Sequence, residues 1–70
     1  MKANRAYELR VSRGVPTAMI EVLEIDTGEI ALFWDVRPDQ TRRLAKALRA
    51  DLAQLDAEAF LDRWAKWDRS

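Results

Sequence analysis

The chain has 70 residues, twelve Lys or Arg against twelve Asp or Glu, and neither cysteine nor histidine. Those absences exclude disulfides, thiolate and imidazole zinc sites, histidine-based nucleophile arrangements and a histidine pH switch. A hydrophobic content of 49% is that of a folded protein, while zero net charge argues against a dedicated nucleic-acid domain.

Residues 1–5 are polar and expected to fray, and no apolar core follows them as it does in a signal peptide. No run of about 18 apolar residues is present, so the expected setting is cytoplasmic, with no membrane span. Seventy residues suit one small domain near the lower limit for a self-sufficient core.

Residues 6–12 alternate Tyr7, Leu9 and Val11 with Glu8, Arg10 and Ser12, the period of a half-buried strand. Gly14 and Pro16 mark a short link to a second strand, residues 17–25. Asp26-Thr27-Gly28 reads as a hairpin loop whose glycine takes a positive φ, leading into a third strand, residues 29–36. In that register Ile25 pairs with Glu29, and Ile20, Val22, Ile30, Leu32, Trp34 and Val36 share one face. The opposite face then carries Met19, Leu23, Ile25, Ala31 and Phe33, broken by Glu21, Glu29 and Asp35. Such a face is too apolar for plain solvent and too charged for a deep core. It points to a partner.

Pro38, Asp39 and Gln40 open a helix expected over residues 38–55. Leu44, Ala45, Leu48, Leu52 and Leu55 form one stripe at helical spacing, which belongs against the Ile20/Val22/Leu32/Trp34 face. Residues 56–67 are also helical in composition, but their stripe of Phe60, Leu61, Trp64 and Trp67 is turned from the leucines by about 150°. Either the chain turns at residues 55–57 with Asp56 as a new N-cap, or one long helix buries its second half on another molecule. The restart at Asp56 favours the turn.

The expected fold class is α+β: a three-stranded antiparallel β-meander with a long α-helix on one face and a shorter C-terminal helix. The expected function is that of a non-catalytic interaction or regulatory protein whose partner is a second copy, in a homodimer, or another protein, with no cofactor and no metal. Its candidate interface is Met19, Leu23, Ile25, Phe33, Phe60, Trp64 and Trp67. The dimer reading rests on the leucine stripe covering only one sheet face while the aromatic stripe points elsewhere. A second copy then supplies the cover, and a monomer with one helix on each side of the sheet is the competing arrangement. The alternative function is a nucleic-acid-binding regulator that uses Arg42, Arg43, Lys46 and Arg49, on the helix face opposite the leucines, to meet phosphates or an acidic partner, although such a set is more often a solvated surface.

Overall fold

The hairpin loop is four residues long, not three. In the computed structural model, which describes residues 1–66, the Gly28 N–H and the Glu24 carbonyl close the loop at 2.8 Å. The Glu24 N–H donates to the Glu29 carbonyl at 2.8 Å, so Glu29 pairs with Glu24 and Ile25 moves into the loop. Gly28 has φ +75°, and no atom lies within 4 Å of where a Cβ would sit. Any cost of a side chain there is therefore backbone strain, about 1 kcal/mol for alanine. Thr27 Oγ1 stiffens the loop by donating to Glu24 Oε1 (3.0 Å) and accepting the Glu29 N–H (3.1 Å).

The longer loop shifts the pairing by one residue, and a β-bulge shifts it back. Strand β1 (Tyr7–Ser12) pairs antiparallel with β2 (Ala18–Glu24), and β2 with β3 (Ile30–Val36), in the order β1-β2-β3. From Ala18↔Val36 to Val22↔Leu32 the expected register holds, whereas Leu23 faces Ile30, leaving Ala31 as the extra residue. A bulge is the economical solution because a slip carried through β3 would turn Leu32, Trp34 and Val36 out of the core. Its consequence is an exchange. Ile30 stands on the outer face with Leu23, and Ala31 packs against the core, the reverse of the sequence expectation.

Pro38–Gln40 form a 3₁₀ turn rather than the first turn of the long helix, with Arg37 and Asp39 paired at 3.2 Å. Helix α2 then runs Thr41–Gln54, and Thr41 Oγ1 donates to the Arg37 carbonyl at 3.2 Å. Its Ala45, Leu48 and Leu52 are buried on Ile20, Val22, Leu32 and Trp34, as the leucine spacing requires.

The chain does turn after α2. Leu55 (φ −92°, ψ 154°) and Asp56 (φ −73°, ψ 160°) are both extended, and α3 spans Ala57–Ala65. Two extended residues swing the axis enough to bring the second stripe round to the same sheet face as the first. Phe60 is 0% exposed, and Trp64 meets Trp34 edge-to-face at 6.0 Å and 84°. Neither the dimer-covering position expected for Phe60 and Trp64 nor a helix on each side of the sheet is adopted. Both helices lie on one side, and the aromatic pair completes the chain's own core.

The N-terminus makes this turn possible. Residues 1–5 are not frayed: after Met1 and Lys2 the chain forms one helical turn, α1 (Ala3–Ala6), with Ala3 fully buried. The Ala3 N–H donates to the Leu55 carbonyl and the Ala57 N–H donates to the Met1 carbonyl, both at 2.9 Å. Lys2 Nζ reaches the Gln54 carbonyl at 3.1 Å. These are the backbone groups that the end of one helix and the start of the next leave unpaired. Asp56 stands at the N-cap as expected, but its side chain makes no capping bond. Met1 supplies an acceptor in its place. Among the described residues no helix is long and apolar enough to cross a membrane.

Candidate interaction surface

With both helices on one side, the other side of the sheet has no cover from the described residues. The register places three cross-strand rows on it: Ser12, Met19 and Asp35; Arg10, Glu21 and Phe33; Glu8, Leu23 and Ile30. Met19 is 39% exposed, Phe33 38% and Ile30 54%. Leu23, on the central strand between Glu8 and Ile30, is 8% exposed although no helix packs on its side. An antiparallel sheet with one wet face ordinarily keeps that face polar. Here each row holds at least one apolar residue beside its charges or hydroxyl, a composition closer to an interface than to a solvated surface.

The structure divides the expected interface residues into three groups. Met19, Leu23 and Phe33 do lie together on the open face. Ile25 is exposed in the hairpin loop, where its N–H donates to the Ala6 carbonyl at 3.0 Å, so it borders the face without belonging to a row. Phe60 and Trp64 are removed from the set, since both are buried in the core beside Tyr7 and Trp34. Trp67 lies outside the described residues. Ile30 is the member that strand alternation missed. The one sequence signal for it was the possibility that Ile25 belongs to the loop, which moves the pairing of everything after Gly28.

The basic residues of α2 separate as well. Arg42, Lys46 and Arg49 follow one another at i, i+4 and i+7, and all three are exposed. Among the described residues, no carboxylate lies within ion-pair distance of them, whereas Arg37 pairs with Asp39 and Arg63 with Asp51. Arg43 is also exposed but leaves this stripe: it lines a groove on the helical side of the molecule together with Leu44 and Trp64. The acids are dispersed, with Glu8, Glu21 and Asp35 on the open face and Glu24, Asp26 and Glu29 around the hairpin loop.

The chain matches no protein-family model, and comparison with curated proteins and with solved structures gives no significant match.

Proposed function

We propose that the protein is a small non-catalytic interaction module whose partner is a second copy of itself, met through the open face of the sheet. The observation that carries this reading is the exposure of Met19, Ile30 and Phe33 on a face that neither helix covers. Two three-stranded sheets packed face to face bury such residues against each other at about 10 Å separation. A two-fold axis parallel to β2 sets β1 of each copy over β3 of the other. Arg10 on β1 and Phe33 on β3, which share a row, then face each other across the interface. Each row meets its own copy, which lays the Arg10 side chain on the Phe33 ring of the other chain and sets Met19 and Leu23 on their counterparts along the axis. A stable interface of this kind buries on the order of 1,600 Å² in total.

Sedimentation at micromolar concentration is expected to give a dimer. Phe33→Glu is expected to give a folded monomer, because the residue is part-exposed within each chain. A wild-type protein that remains monomeric would sink the self-association reading.

A second reading is favoured by the unpaired cations of α2. On that reading Arg42, Lys46 and Arg49 meet the phosphates of a nucleic acid, doubled by dimer symmetry. Retention on heparin should then fall with salt, and replacing the three by Gln should remove it without unfolding the chain. A wild-type protein that passes heparin unretarded at low salt retires this reading.

A further inference from the structure

A groove of about 320 Å³ opens on the helical side, between α2 and α3 at the end of β3. Val36, Leu44, Ala47 and Trp64 provide its apolar surface. Among the described residues the remaining lining is Gln40, Arg43 and Arg63, two cations and an amide with no carboxylate. The Arg63 guanidinium is oriented from behind. Its Nε lies 3.4 Å from Asp51 Oδ2, the same oxygen that accepts the Trp64 indole N–H at 2.9 Å. A guanidinium has five N–H donors, so this anchoring leaves most of the fork for another acceptor. Arg43 has no ion-pair partner among the described residues.

We propose that this groove binds a small amphiphilic monocarboxylate, with its apolar body on Leu44, Ala47 and Trp64 and its carboxylate between Arg43 and Arg63. Charge decides the head group. Asp51 offsets Arg63, so among the described residues the rim carries one uncompensated positive charge, that of Arg43, which matches a monoanion better than a phosphate dianion. Geometry agrees, since the planar guanidinium fork fits a carboxylate edge with two parallel hydrogen bonds. Volume decides the body. The groove is near the lower end of small-ligand sites, which start at about 300 Å³, and is too small for a partner helix. It lies on the side of the molecule opposite the open sheet face, so ligand binding here and self-association there can fail independently.

The test is a titration of the ¹⁵N-labelled full chain with octanoate, octylamine, octanol and a short peptide ending in leucine. Octanoate should shift the Trp64 indole N–H and the Leu44 and Ala47 amides saturably, and bind at least about tenfold tighter than octylamine or octanol. Arg43→Gln should weaken octanoate binding about tenfold. Ala47→Leu, which fills the groove from an exposed helix position, should abolish binding while leaving the spectrum of a folded protein. The proposal is overturned by shifts that do not saturate, by shifts centred on Met19 and Phe33, or by equal affinity for octylamine. Tighter binding of the peptide than of octanoate also overturns it, because the groove would then be a docking site for a protein C-terminus.

Discussion

Phe60→Ala is expected to cost about 3–5 kcal/mol and to lower the urea midpoint steeply. Phe60 has no exposed surface, and its ring lies 5.9 Å from that of Tyr7 and 6.5 Å from that of Trp64. It therefore joins β1 to α3 at the point where the second helix meets the sheet. Truncation leaves a cavity between α3 and β1, and such a site cannot collapse without moving a whole helix. For 70 residues the total stability is roughly 4–10 kcal/mol, so the loss removes a large part of it. Urea denaturation followed by circular dichroism measures the effect. Phe33→Glu serves as the contrasting variant: it sits on the open face and should shift the midpoint little once the protein is monomeric. If instead Phe60→Ala dissociated a dimer and kept the monomer's stability, the aromatic stripe would lie between chains, as its sequence spacing had suggested.

The two helical stripes show what a single chain reveals and what it conceals. A turn of about 150° between the leucines and the Phe60/Trp64 set is visible as periodicity, and with Asp56 as a restart it favours the break found there over one long helix. Periodicity does not contain the direction of the chain after the break. Here that direction depends on Met1 and Ala3, more than fifty residues away, whose backbone groups satisfy the two helix ends. Nothing in a polar N-terminal pentapeptide announces that role, because backbone hydrogen bonds carry no side-chain signature. The hairpin is a similar case on a smaller scale. Gly28 marked the loop and the apolar run marked β3, but the two implied registers differ by one residue. Alternation alone placed Ile30 inward; the bulge at Ala31, which reconciles loop and core, put it outward. Of the expected surface residues, those identified by position on a regular strand (Met19, Leu23, Phe33) are where they were expected. Those whose position depended on a non-local turn, Phe60 and Trp64, are not.

Ala3→Asp is expected to destabilise the protein by about 3–5 kcal/mol if the carboxylate stays where the methyl is now. The site is fully buried within a cluster that includes Leu52, Phe60 and Trp64, with no cation in that cluster to pair with the new charge. The chain has one escape, which is to withdraw residues 1–3 into water. That route gives up the bonds from the Ala3 N–H to the Leu55 carbonyl and from the Ala57 N–H to the Met1 carbonyl, and exposes the core surface beneath Ala3. At about 1 kcal/mol for each backbone bond, withdrawal still costs about 2 kcal/mol before the exposed surface is counted. The two routes leave different marks. A retained carboxylate lowers global stability and leaves amide protection across α3 in proportion. Withdrawal selectively loses protection at Ala57 and at the start of α3 while the β2–β3 amides keep theirs. Asn4→Asp, one residue along and exposed, adds the same charge without burial and should change the melting temperature little. If Ala3→Asp behaved like Asn4→Asp, the N-terminal turn would not be what holds α3 on the sheet, and the short link at Leu55 and Asp56 would have to do so unaided.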